Sequence, residues 1–394
     1  MKVLATLVLS LPLVFAAQAP VFVPPGPGPT EQSDNYVGKS NGSLPVEFPV
    51  PGRVFNRFIQ IWLENTNFAV ANSSAVFQTL AQQGITMTNY FALTHPSEPN
   101  YVAAVGGDFF GMADDNLYMI PSNISTIVDL LEERRISWAS YQESMPTDGF
   151  TGFSFASENY LNTSAAPLTL YWRKHNPLII YNSVADIPSR AARHRNFNDF
   201  AVDINHHALP QWMFVTPNIE NDAHDTNVDF AGQFLQYWLF PLLKDVRFNG
   251  PDTLILLTFD ENGSSSINNN IFSLLLGNAV PKELRGTTDS TYFTHYSSLS
   301  TVQNNWGLGS LGRGDTNKTL ANVFSMVAER TGYRNLKVVD IPLTNISGKT
   351  PGPLNSNISL QTPFPPPNIH AKGAGGGPVF VARNFNLSHF GLHH

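Results

Sequence analysis

Four short, nearly unbroken apolar runs divide the chain, at residues 58–63, 136–141, 212–215 and 253–259. Runs of this kind suit β-strands covered on both faces, which need no polar alternation. Helical spacing of apolar positions lies between them at 74–83, 124–135 and 228–246. A further helix is expected over 316–331, where Asp315 or Thr316 could cap its start. Strands alternating with helices predict one α/β domain with a mostly parallel central sheet flanked by helices. Ligands of such sheets collect at the carboxyl ends of the strands. The polar residues that directly follow each run are therefore the first place to look for chemistry.

Residues 20–51 and 351–377 are rich in proline and glycine. They read as an N-terminal arm and the start of a C-terminal tail (351–394), leaving 52–350 as the main folded domain. The last residues carry His389, His393 and His394, read as part of a mobile tail rather than a metal site. Ahead of the arm, Lys2, an apolar stretch from Val3 to Ala17 and the small-residue triplet Ala17-Gln18-Ala19 predict a cleaved signal peptide over 1–19. The stretch is short for a span and lacks basic residues behind it, so no stable membrane anchor is expected. Nine Asn-x-Ser/Thr sites agree with a secreted, extracellular or cell-wall glycoprotein. Glycans are expected at Asn41, Asn72, Asn123, Asn162, Asn317, Asn345, Asn357 and Asn386. The ninth, Asn262, stands next to candidate site residues and is expected to stay unmodified.

Composition narrows the chemistry. With 42% hydrophobic residues in 394, the chain can bury a large core. A net charge of −7 without any basic stripe argues against nucleic acid as a partner. The absence of cysteine removes disulfides, thiol nucleophiles and thiolate zinc sites.

Three of the four strand ends carry groups that bind cations. They are Glu64-Asn65, the segment Asn221-Asp222-Ala223-His224-Asp225, and Asp260-Glu261-Asn262. Carboxylates with imidazole and amide oxygens form the ligand set of hard or borderline divalent ions. Neighbouring acids repel one another unless a cation neutralises them. Between these ends lies His95-Pro96-Ser97-Glu98-Pro99-Asn100-Tyr101, followed by a small-residue run that could begin a helix. Ser97 has two readings there. It is an ordinary helix cap, or a nucleophile favoured by the helix dipole and a nearby metal.

Ser97-x-Pro99-Asn100-Tyr101 resembles the nucleophile segment of the alkaline-phosphatase superfamily. More closely, the chain resembles the phosphoesterase family that includes secreted fungal acid phosphatases and bacterial phospholipases C. The matching segments run in order from residues 61–65 through 95–101, Lys174-His175-Asn176-Pro177, 216–225 and 258–262 to Thr294-His295-Tyr296-Ser297. The resemblance implies an alkaline-phosphatase-like fold and hydrolysis of small phosphate monoesters. Ser97 would be the nucleophile, with His95 beside it. Asn100 would donate to a phosphoryl oxygen, and Lys174 and His175 would line the phosphate pocket. Glu64, Asn65, Asp260 and Glu261 would hold a divalent ion touching Ser97. Asp222, His224 and His295 would complete that site or a second one, so one or two ions are expected. A phosphodiesterase of phospholipase C type and an inactive cell-wall glycoprotein are the alternatives. A sulfatase is disfavoured because Tyr101 stands where that branch has arginine.

Overall fold

The computed structural model describes residues 20–341 and 348–386. The expected signal peptide, Asn345, His389, His393 and His394 lie outside the described residues.

Among the described residues twelve strands form: β1 Arg57–Leu63, β2 Ile85–Met87, β3 Tyr90–Phe91, β4 Trp138–Gln142, β5 Ser154–Ser157, β6 Leu168–Trp172, β7 His194–Arg195, β8 Trp212–Thr216, β9 Thr253–Phe259, β10 Ser273–Leu276, β11 Thr287–Asp289 and β12 Phe293–Thr294. Eight of them build one sheet in the order β11-β2-β10-β9-β1-β8-β4-β7. The four apolar runs become β9, β1, β8 and β4, adjacent and parallel at its centre. All four are buried along nearly their whole length, which explains why none alternates. Only β10 runs against its neighbours. Helices cover the sheet, with Phe234, Trp238 and Leu242 of the long helix Val228–Lys244 buried in the core.

Residues 124–135 form a shorter helix than expected, Ile127–Glu133, because Thr126 and Asp129 make a capping box that sets its start. The helix expected over 316–331 is largely absent. Residues 314–316 make one 3₁₀ turn, and only Ser325–Thr331 is α-helical. Tertiary partners take the backbone groups between them. Val323 N donates to Asn335 Oδ1 at 2.9 Å and Phe324 N to Thr301 Oγ1 at 2.9 Å. The buried Asn322 amide meanwhile bonds the carbonyls of Tyr292 and Leu336. A propensity for helix cannot compete with a full set of such bonds.

The proline-rich arm has almost no regular structure but is fastened to the domain. Phe22 packs edge-on against Phe230, and the Tyr36 ring lies tilted against Phe197. Asn198 Nδ2 donates to the carbonyls of Ser33 and Gly38. Farther along, Arg195 meets Asp148, Asp199 and Asp203, and these carboxylates also take Asn41 N and Leu44 N. The C-terminal segment is fastened too, through Gly377 N to Leu308 O and a bridge between Ser310 and Val379.

Candidate active site

The helix Ser97–Gly106 sets the nucleophile candidate. Pro99 is tolerated because it lies in the first turn, where its missing N–H breaks no helical bond. Gly107, at φ 78°, closes the other end in the left-handed conformation. Gly106 is required by contact, since a Cβ there would run into the Tyr181 hydroxyl. Pro96 occupies the cap position, so Ser97 is the first helical residue and caps nothing. Its hydroxyl instead donates to Glu64 Oε2 at 3.1 Å.

Around that hydroxyl the strand ends converge. Glu64 and Asn65 follow β1, Asp260 and Glu261 follow β9, and Asp222 lies in the loop after β8. Glu64, Asp222, Asp260 and Glu261 are all buried. Burial raises the Glu64 carboxyl well above its ordinary range, and Asp260 and Asp222 raise it further. Asp222 and Glu261 are raised in the same way, burial first. Asp260 is pushed up to about 6 by burial. Packing so many acids together is costly unless positive charge joins them.

Two spots fit a cation. At the first, the Asn65 side-chain oxygen lies 3.1 Å from Glu64 Oε2 and 3.2 Å from Asp260 Oδ1. Three oxygens facing one another are relieved by turning the amide over or by a cation between them. Ser97 Oγ is 3.5 Å from the same Asn65 oxygen. At the second, ligand atoms of Glu64, His175 and Asp222 lie within 4.8 Å of one another. His175 Nε2 is 3.3 Å from Glu64 Oε1 but off the bonding direction. Asp222 Oδ2 and Asp260 Oδ2 are buried without a hydrogen-bond partner among the described residues. Burial, aided by Lys174, holds His175 well below its ordinary pKa, so its imidazole is neutral and can ligate. The donor set therefore fits one or two divalent ions.

The remaining expected residues divide. His175, expected in the phosphate pocket, lies at the second cation spot. Lys174 Nζ sits 2.9 Å from Asp115 Oδ2 and 3.4 Å from His224 Nε2. His224 is a partly exposed rim residue that turns Nδ1 to Asp225 at 2.7 Å, and it stands outside the Glu64–His175–Asp222 group. His295 does not join that group either. It stacks on Trp62 and places Nε2 2.7 Å from the Asp260 carbonyl, so it steadies the backbone of a candidate ligand. Burial drops its pKa to about 3. His95 Nδ1 pairs with Glu261 Oε2 at 2.8 Å. Burial lowers the imidazole and raises the carboxyl, which favours the neutral pair with one shared proton.

Asn100, expected to donate to a phosphoryl oxygen, has its amide engaged within the protein. Its side-chain oxygen accepts from Leu93 N and Thr94 N, and its Nδ2 donates to Thr94 O at 2.9 Å. The buried amide thus holds the loop before Ser97, and its Nδ2 also lies 3.4 Å from Glu261 Oε2 among the candidate ligands. Sequence reasoning also passed over Tyr101, whose hydroxyl donates to Glu64 Oε1, and Asp115. Tyr101 stood in the motif as a signal. Asp115 lies in a polar loop with none. Asn262, the ninth sequon, is buried and donates Nδ2 to Asn268 O at 2.7 Å, whereas Asn41, Asn72, Asn162, Asn317, Asn357 and Asn386 are exposed.

A buried hydroxyl at a helix N-terminus, ringed by carboxylates able to hold cations, is suited to attack an anionic ester. The chain belongs to the Phosphoesterase family, which it matches over residues 55–309. It is 45% identical over 358 residues to an acid phosphatase of Aspergillus fumigatus, covering 89% of this chain and 75% of that one. A phosphate-repressible acid phosphatase of Penicillium chrysogenum is 45% identical over 338 residues, covering 85% and 78%. A phosphatidylinositol-3-phosphatase of Mycobacterium tuberculosis is 30% identical over 244 residues, covering 62% and 73%. Among solved structures, an alkaline phosphatase superfamily protein of Vibrio parahaemolyticus is similar with a TM-score of 0.40 at 12% identity, covering 68% of this chain and 70% of that one. Among the described residues no helix is long and apolar enough to cross a membrane.

Proposed function

We propose that the chain is a secreted acid phosphatase that hydrolyses phosphate monoesters through Ser97 with the help of one or two divalent ions. Kinship makes it a phosphoric monoester hydrolase. Four relatives named acid phosphatase, one of them a probable assignment, are 45–47% identical over 73–89% of this chain. The observation that carries the Ser97 role is its hydroxyl, 3.1 Å from Glu64 Oε2 and buried among acids at the strand ends.

In this reading Ser97 passes its hydroxyl proton to Glu64 Oε2 while Oγ forms a bond to phosphorus and the ester oxygen departs; water then displaces the serine, one water proton returns to Ser97 Oγ, and inorganic phosphate is released. Glu64 Oε2 accepts the hydroxyl's hydrogen bond and so aims its lone pairs away from the carboxylate. His95, two residues earlier, keeps Nδ1 on Glu261 and has Nε2 without a hydrogen-bond partner among the described residues. That nitrogen is the candidate proton donor to the leaving alcohol. Lys174 supplies a point charge for the phosphoryl oxygens. Asn65, Glu64 and Asp260 would hold one ion beside Ser97, and Glu64, His175 and Asp222 a second. Such ions stabilise charge on the transferring group and lower the pKa of a hydroxyl they touch. The expected leader over 1–19 and the exposed sequons support secretion.

The test is Ser97→Ala, assayed on p-nitrophenyl phosphate with folding followed by circular dichroism. Hydrolysis is expected to fall by at least about 1000-fold with the fold intact. Unchanged turnover would remove Ser97 from the chemistry.

A further inference from the structure

Asp115 comes from the loop between the Ser97–Gly106 helix and the next one, and it joins two parts of the site. Its Oδ1 accepts Glu98 N at 2.9 Å, and Oδ2 takes Lys174 Nζ at 2.9 Å. Glu98 is the residue after Ser97 in the first helical turn. The neighbouring Asp114 steadies the turn by accepting from Asn116 N at 3.2 Å and the Tyr118 hydroxyl at 2.6 Å. Lys174 needs such an anchor. Its ammonium rides on a flexible four-carbon stem and carries no directional preference of its own. Left free, that charge would be drawn onto Glu64, where it would neutralise a carboxylate needed for cation binding.

We propose that Asp115 is a positioning residue: it holds the Lys174 ammonium away from Glu64 and in register with Ser97, ready for the phosphoryl oxygens of a monoester. The inference rests on the phosphatase reading of Ser97 and Lys174. One carboxylate spans the helix that carries the nucleophile and the turn that carries the lysine, so the two move together. A monoester presents one more charged oxygen than a diester, and a fixed cation rewards that difference.

The experiment compares wild type, Asp115→Asn, Lys174→Met and the double variant, reading kcat and KM on p-nitrophenyl phosphate and the inhibition constant of inorganic phosphate. Asp115→Asn should raise KM and the phosphate inhibition constant about tenfold, the scale of one charged hydrogen bond, while kcat falls less. The double variant should be no worse than Lys174→Met. Thermal melts check that each variant folds, and Asp115→Ser serves if the Asn variant does not. A lower KM and tighter phosphate inhibition in Asp115→Asn would overturn the proposal, because the carboxylate would then compete with substrate for Lys174 and Glu98 N. Additive losses in the double variant would overturn it too. An active Ser97→Ala variant, by contrast, would fail the phosphatase reading itself.

Discussion

Glu64 is shared: one carboxylate oxygen accepts from Ser97 Oγ at 3.1 Å while the other lies 3.3 Å from His175 Nε2. A single side chain thus belongs to both candidate cation spots and touches Ser97. Glu64→Gln should therefore lower bound metal as well as activity. Elemental analysis of the purified protein is expected to find one or two divalent ions per chain, with at least one lost in the variant. Equal metal content in both proteins would show that Glu64 is not a ligand.

Substrate class follows from the charge at the site. The p-nitrophenyl monoester should be cleaved faster than its bis(p-nitrophenyl) diester, compared as kcat/KM. Faster diester cleavage would replace the monoesterase with an enzyme of phospholipase C type.

His194 on β7 should impose a stability cost in acid. Burial lowers its pKa to about 4, and its ring packs edge-on against Trp138. In the unfolded chain it titrates near its ordinary value, so the stability it contributes is full above about 6.5 and is lost as the pH falls toward 4. Between pH 7 and 4.5 that loss is about 2–3 kcal/mol. Glu143, pushed up to about 7 by burial, acts in the opposite direction over much of the same range. The informative measurement is therefore a difference. His194→Phe should lose less stability than wild type from pH 7 to 4.5 in urea unfolding. Identical pH slopes would mean His194 titrates normally in the fold.

Arg195 should hold the arm down. Its guanidinium lies 2.7 Å from Asp203, 3.0 Å from Asp148 and 3.2 Å from Asp199, all with little or no exposure. Arg195→Met strands these charges and should cost roughly 3–5 kcal/mol. The carboxylates that bind Asn41 N and Leu44 N would repel each other, loosening residues 38–44. Trypsin should then cut after Lys39 faster than in wild type. An unchanged cleavage rate would separate the ion cluster from the arm.

The site was readable where its signal is local. Glu64, Asp222 and Asp260 stand on or just past the ends of strands that announce themselves as apolar runs, so pattern and chemistry coincide. Asp115 had no such mark, because a polar loop residue looks alike whether it faces water or a lysine. Asn100 is ambiguous for a related reason. An amide can serve a substrate or its own loop, and the choice depends on where Leu93 and Thr94 place their N–H groups.

The four central strands, the family and the acids at the strand ends are legible in the amino-acid order, because burial on both faces writes a continuous apolar run and short motifs stay together. Which of those acids meet is settled by the three-dimensional fold. It brought His175 to Glu64 and Asp222, turned His295 onto the Asp260 carbonyl, and replaced most of the helix expected over 316–331 with bonds to Thr301, Tyr292, Asn335 and Leu336. Those outcomes rest on partners far away along the chain, and a hydrogen bond or an ion site is decided by distance and direction, which no local pattern encodes.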